Sequence, residues 1–128
     1  CMGLQLVFET GWEGGQHDGL GVFAGAVSRF DCSEDLKVPH MGWNQVKWRE
    51  RSHLSRVVSR NAQQPEFFYF VHSYCVQPSD SSIVAAETDY GGTFCSAVSR
   101  GRLLATQFHP EKSQSVGMRL LKYFIEHV

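Results

Sequence analysis

The residues that most constrain the fold are 67–76, a run in which almost every side chain is aromatic or β-branched. Such a composition is typical of a β-strand. The run shows no polar alternation, which predicts a strand that is covered on both faces, as in the sheets of α/β proteins. Shorter strands are predicted on either side of it, at residues 22–30, 45–48, 83–88, 94–99 and 103–108.

Three segments have the pattern of helices. Residues 115–127 carry apolar side chains at helical spacing, at Val116, Leu120, Leu121, Phe124 and Ile125. Residues 52–60 predict a surface helix, and residues 2–9 predict a short helix at the start of the chain. Five glycines among residues 10–21 predict a loop, and residues 38–44 predict an irregular turn.

The composition indicates one ordinary α/β domain that spans residues 1–128. The net charge is −1 and 42% of the residues are hydrophobic, so nothing points to a polyanionic partner. The basic residues between Lys47 and Arg51 are interpreted as a solvated edge rather than a nucleic-acid site. No stretch is long and apolar enough to span a bilayer, and no signal peptide is evident, so a cytoplasmic location is expected.

The four cysteines do not have the spacing of a metal site. Cys1, Cys32, Cys75 and Cys95 form no CxxC pair, so a zinc site is not expected. Cys75 and Cys95 lie in apolar runs and are expected to be buried and inert. Only Cys1 has a recognisable motif around it.

A histidine and a carboxylate two residues apart suggest a base and its orienting group. His109 and Glu111 follow an apolar strand and would point the same way from an extended segment. Pro110 restricts the backbone between them. The nucleophile for this pair would be Cys1, since a cysteine at the start of a helix has a lowered pKa and backbone N–H groups at hand for an oxyanion.

Two segments resemble signatures of the class I (triad) glutamine amidotransferases. Residues 1–6 are similar to the turn that carries the nucleophilic cysteine, and residues 107–113 are similar to the segment that carries the catalytic histidine and glutamate. Residues 38–44 and 68–74 resemble one branch of that family, the glutaminase subunits of imidazole glycerol phosphate synthase. The resemblance implies a flavodoxin-like α/β fold with a mixed sheet flanked by helices.

The resemblance also implies roles for individual residues. Cys1 would be the nucleophile, His109 the general base and acid, and Glu111 the carboxylate that orients the imidazole. The residues that would bind L-glutamine are Gln5, Glu13, Ser73 and Tyr74. The residues that would face a (β/α)₈-barrel cyclase subunit, to which ammonia is passed in histidine biosynthesis, are Trp43, Tyr69 and Lys112.

No metal or organic cofactor is implied by this resemblance. Two further histidines receive other interpretations. His72 lies in the aromatic run and is expected to be structural rather than catalytic. His40 is expected to face solvent or to lie in a turn.

The chain differs from the family's pattern in length. It resembles the C-terminal portion of such a domain, with the N-terminal βα units and a glycine-rich oxyanion loop absent. Exposed sheet edges would then favour a homo-oligomer or a domain swap. Two alternatives to a working triad glutaminase remain open. One is a catalytically incomplete fragment that acts only as a binding or assembly module, and the other is an amidotransferase in which the amine of Cys1 is the base. The predicted helix after Cys1 disfavours the second.

Overall fold

The computed structural model describes residues 1–30, 35–59 and 65–127. In chain order these residues form the following elements: α1 (Met2–Leu6), β1 (Phe8–Gly11), β2 (His17–Asp18), β3 (Phe23–Arg29), β4 (His40–Trp48), α2 (Leu54–Val58), β5 (Glu66–His72), β6 (Tyr74–Pro78), a 3₁₀ turn (Ser81–Ile83), β7 (Val84–Asp89), β8 (Thr93–Arg100), β9 (Leu103–Thr106), a 3₁₀ turn (Pro110–Lys112) and α3 (Gln114–His127).

The strands join into one open, mixed sheet. Its order is β2-β1-β3-β6-β8-β7-β4-β5, and β9 pairs with β8. Strands β1 and β3 are parallel, whereas β4 with β5, β7 with β8, and β8 with β9 are antiparallel. The predicted fold class, a mixed sheet flanked by helices, is therefore confirmed.

Two hydrophobic clusters lie against the sheet. The first contains Phe68, Phe70 and Phe108 together with Leu54 of α2 and Leu120 of α3, so these two helices cover the β5 end. The second cluster joins Leu4 of α1 to strands β1, β3, β6, β7 and β8. Burial of apolar surface in both clusters fixes the strand ends around which the candidate site is built.

The helix predicted at the end of the chain and the strand predicted at residues 22–30 are both confirmed. Helix α3 buries Val116 and Leu120, as the apolar spacing predicts. Gly25 has φ +135°, and a Cβ there would collide with the backbone oxygen of Gln77. The surface helix covers Leu54–Val58, shorter than predicted, and Arg60 lies outside the described residues.

The aromatic run is not one strand covered on both faces. It divides at Ser73 into β5 and β6, which belong to different parts of the sheet. Within β5, Phe68 and Phe70 are fully buried whereas Phe67 is 47% exposed. Aromatic residues occupy both the core side and the open side of β5, so composition hides the alternation that periodicity would otherwise reveal.

Three other boundaries differ from the predictions. The first helix ends at Leu6, because Phe8 is the first residue of β1 and pairs with Phe23 of β3. The glycine-rich segment is not wholly loop, since β2 pairs with the end of β1. The predicted turn at 38–44 is already strand from His40, because β4 pairs with β5 over its whole first half. Among the described residues, no helix is long and apolar enough to cross a membrane.

Candidate active site

The sulfur of Cys1 lies at the junction of three elements. Cys1 directly precedes α1, and its backbone nitrogen donates to the carbonyl of Thr106 at the end of β9, at 2.8 Å. Its Sγ lies 3.2 Å from Nε2 of Gln107 and 3.9 Å from the carbonyl oxygen of Val71 in β5. The thiol is half-buried. Contacts with two different segments therefore restrict the position of the sulfur.

His109 and Glu111 form the predicted pair. Nδ1 of His109 lies 2.8 Å from Oε1 of Glu111. The geometry differs from the prediction, because β9 ends at Thr106 and residues Pro110–Lys112 form a 3₁₀ turn. The 3₁₀ turn places the carboxylate of Glu111 beside the ring of His109, so a turn and not an extended strand brings the two side chains together.

This pairing determines which nitrogen of His109 donates. A carboxylate only accepts, so Nδ1 of His109 carries a proton, and in the neutral ring Nε2 keeps its lone pair. Burial alone would raise the pKa of Glu111, but the hydrogen bonds from His109 and from its own backbone hold that pKa below its usual value. Nε2 of His109 is buried and has no hydrogen-bond partner among the described residues. In the neutral ring, Nε2 of His109 can therefore accept a proton from a substrate or a nucleophile.

The thiol of Cys1 and the backbone of His109 contact the same strand. Sγ of Cys1 lies against Val71, and the backbone N–H of His109 donates to Tyr69, two residues away in β5, at 2.9 Å. Two residues of a strand span about 7 Å. The thiol and Nε2 of His109 are not hydrogen-bonded to each other here, and such contacts often shorten only when substrate binds.

A cavity opens beside the sulfur. Its volume is about 270 Å³, and its lining includes all four residues predicted to bind glutamine as well as Cys1. These four are Gln5 of α1, Glu13 of the loop after β1, and Ser73 and Tyr74 at the break between β5 and β6. Cys75 and Cys95 are buried away from it, and burial raises the pKa of Cys95 to about 12. Cys32 lies outside the described residues.

The three predicted partner-facing residues form a contiguous surface. The rings of Trp43 and Tyr69 lie 6.0 Å apart, nearly perpendicular, and Nζ of Lys112 lies 5.9 Å from the centre of the Tyr69 ring. The outward side of β4 and β5, formed by Met41, Trp43, Phe67, Tyr69 and Val71, is called the hairpin face below. Met41 is 62% and Trp43 49% exposed, so this face is both apolar and accessible.

His40 is not a solvent-facing histidine: it is 3% exposed. Its Nδ1 lies 2.8 Å from Nε2 of His72, whose Nδ1 lies 2.8 Å from the carbonyl oxygen of Tyr74. That carbonyl can only accept, so Nδ1 of His72 donates to it and Nε2 of His72 accepts from His40. Nδ2 of Asn44 then donates to Nε2 of His40 at 3.2 Å. The chain of bonds is complete only when both imidazoles are neutral.

The surroundings of the two imidazoles agree with this assignment. Burial lowers the pKa of His40 and that of His72 to about 4. The structural interpretation of His72 is supported, since its hydrogen bond to Tyr74 and that from Phe30 to Ser73 hold the break between β5 and β6. This break forms one wall of the cavity.

Two residues of the site were missed by sequence reasoning. Gln107 contacts the sulfur, and its signal was its place in the segment 107–113, two residues before His109. Asn44 completes the histidine chain and gave no signal, because its partners come from distant segments. Among the described residues, no group of three or more His, Cys, Asp or Glu side chains could hold a metal ion.

Comparison with known proteins identifies the family to which the chain is similar. The family profile described as "Glutamine amidotransferase class-I" matches residues 1–128. The imidazole glycerol phosphate synthase subunit HisH of Rhodopirellula baltica is 53% identical over 124 residues, which cover 97% of this chain and 58% of that protein. The proteins of the same name from Acinetobacter baylyi and Aquifex aeolicus are 48% and 44% identical and are covered over 60% and 57% of their length. The chain thus spans about three-fifths of these relatives.

Proposed function

The chain belongs to the class I glutamine amidotransferase family, and from this premise we propose that it hydrolyses glutamine to glutamate and ammonia, as the glutaminase part of an imidazole glycerol phosphate synthase. The proposal is carried by the position of Cys1, which lines a cavity and contacts Val71 of β5 through its sulfur. The backbone of His109, whose ring is paired with Glu111, is bonded two residues away to Tyr69 of the same strand. The names of the relatives support the choice of synthase.

The proposed reaction begins with proton transfer. Nε2 of His109 accepts the proton of Cys1, and the thiolate attacks the side-chain carbonyl carbon of glutamine. When the tetrahedral intermediate collapses, the C–N bond breaks and His109 returns the proton to the departing nitrogen, which leaves as ammonia. Glu111 keeps the imidazole in the required tautomer throughout.

The second half of the proposed reaction releases glutamate. His109 takes a proton from a water molecule, and the resulting hydroxide attacks the thioester carbon. The C–S bond then breaks, glutamate leaves and the sulfur regains its proton. In the cavity, Glu13 would bind the α-ammonium group of the substrate and Gln5 its amide end, while Ser73 and Tyr74 would form the opposite wall.

We propose that the hairpin face binds a (β/α)₈-barrel cyclase subunit that receives the ammonia. An exposed surface that combines aromatic side chains with a cation over one of the rings is typical of the centre of an interface. The same face lies on β5, whose carbonyl oxygens at Val71 and Tyr69 contact the sulfur of Cys1 and the backbone N–H of His109, so ammonia would be released close to the partner. A cytoplasmic location fits this proposal, because a reducing compartment keeps a nucleophilic thiol available.

The experiment measures ammonia released from glutamine with and without a cyclase barrel of this synthase. The proposal expects release that is stimulated by the barrel and abolished in Cys1→Ser, while the control variant Cys75→Ser retains it. If wild type and Cys1→Ser release ammonia equally while a complex with the barrel forms, the chain is a binding or assembly module. Sedimentation of the chain alone distinguishes a homo-oligomer or domain swap from a monomer that binds only the barrel.

A further inference from the structure

Gln107 occupies an unusual position for a glutamine. Its side chain is fully buried, and its backbone N–H donates to the carbonyl of Ser96 in β8 at 2.9 Å. The next residue, Phe108, is also fully buried and lies against Phe68 with ring centres 4.2 Å apart. The segment is therefore held on both sides, and Gln107 has little freedom to turn away from Cys1.

The hydrogen bonding of Gln107 is incomplete in a way that packing does not explain. Its Nε2 lies 3.2 Å from Sγ of Cys1, whereas its Oε1 is buried and has no partner among the described residues. Burial of an unpaired polar atom is unfavourable, and an unbranched apolar side chain would avoid it. The carboxamide of Gln107 is therefore explained by its hydrogen bond to the sulfur of Cys1 and not by packing in the core.

The direction of the bond matters for the chemistry. An N–H donor stabilises a thiolate more than a thiol, because the acceptor gains charge when the proton leaves. The carbonyl oxygen of Val71, 3.9 Å from the sulfur, is an acceptor and therefore suits the protonated thiol. Helix α1 has five residues, so its dipole contributes less to the thiolate than a long helix would.

We propose that Gln107 is a positioning residue that holds the sulfur of Cys1 towards the cavity and stabilises its thiolate through Nε2. The assignment rests on the proposed function for its role in turnover, and adds a fourth residue to the Cys1, His109 and Glu111 set. The thiolate appears twice in that reaction, as the attacking group and as the group that leaves when water cleaves the thioester. One donor therefore assists both halves.

The test is the pH dependence of Cys1 alkylation by iodoacetamide in the whole chain, followed on the Cys1 peptide by mass spectrometry. Gln107→Met removes the donor at similar length and is expected to raise the apparent pKa of Cys1 by about one unit, a tenfold loss of thiolate near neutral pH. Gln107→Asn keeps the amide but withdraws it by one methylene, and a shift in the same direction is expected.

The control is Phe108→Leu, which loosens the same segment without a contact to the sulfur and should leave the apparent pKa of Cys1 unchanged. Slow alkylation of the buried Cys95 shows that each variant is folded. An unchanged pKa in either folded Gln107 variant, or an equal shift in Phe108→Leu, would overturn the assignment. No glutamine takes part in this measurement, so its outcome is independent of whether the chain is a glutaminase.

Discussion

Acid should destabilise this fold through the two buried imidazoles of His40 and His72. Their rings are 3% and 4% exposed and are bonded to each other, with Asn44 and the carbonyl of Tyr74 completing a chain that accepts no further proton. Protonation of either ring would place two N–H groups face to face or leave a buried donor without an acceptor. The folded state therefore resists protonation.

The magnitude follows from the two pKa values. Burial lowers the pKa of each ring from 6.5 to about 4 in the folded state, so between these values the unfolded chain binds more protons than the folded chain. The free energy of unfolding is unaffected above about pH 7.5 and falls as the pH drops from about 6.5 towards 4. At pH 5 the loss is about 2 kcal/mol for each histidine, or about 4 kcal/mol for the pair. That is a large part of the stability of an ordinary domain.

Urea unfolding at pH 5.0, 6.0, 7.0 and 8.0 would measure this loss directly. In the double variant His40→Phe/His72→Phe, which keeps two rings in the aromatic cluster, the decline between pH 7 and pH 5 should largely disappear, although stability at pH 8 is lower. His72→Phe alone should remove about half of it, and the exposed His17→Asn should leave it unchanged. A decline of equal steepness in the double variant and the wild type would refute the assignment of two neutral imidazoles.

Three further predictions concern the partner surface, the carboxylate that orients the base, and the fold. Trp43→Ala should weaken binding to the cyclase barrel by about 2 kcal/mol or more, roughly 30-fold in Kd, in a titration by calorimetry, and unchanged affinity would exclude the hairpin face. Glu111→Gln should lower kcat for glutamine hydrolysis on the order of 10³–10⁴-fold, because the imidazole loses its tautomer, and retention of most activity would remove Glu111 from the mechanism. Gly25→Ala should lower the free energy of unfolding by at least about 2 kcal/mol, since a Cβ collides with Gln77. The control Gly101→Ala is also at positive φ but in open space, so it should lower the free energy of unfolding by less. Equal losses in the two variants would mean that the structure relieves the collision at Gly25.

The parts of the fold that sequence predicted are those governed by local pattern. Helix α3 follows from its apolar spacing. The spacing of two residues predicts the His109–Glu111 pair, although a 3₁₀ turn brings the two side chains together instead of the extended segment that was expected. The division at Ser73 could not be predicted, because it depends on a bond from the distant Phe30 and on a side-chain bond of His72 that composition does not reveal. Helical periodicity after Cys1 fails at Phe8 for a similar reason, since pairing with β3 outweighs the local preference.

The candidate site shows the same limit. Gln107 and Cys1 are separated by 106 positions, and the place of Gln107 near His109 does not by itself reveal a contact with the sulfur. The prediction for His40 was wrong because a histidine close to proline and glycine in sequence is usually exposed. Pairing of β4 with β5 instead directs its side chain into the core. Residue types suggested the chemistry, but the supporting hydrogen bonds arise only when distant strands meet.

The central claim is that the sulfur of Cys1 is the nucleophile and that His109 activates it. A glutamine analogue with a diazoketone in place of the side-chain amide, added to the chain together with the cyclase barrel, tests this by mass spectrometry of cysteine peptides. We expect one adduct at Cys1, formed much more slowly in His109→Asn, with excess glutamine protecting against it. Labelling of Cys75 or Cys95 at the same rate as Cys1, or no dependence on His109, would contradict the account.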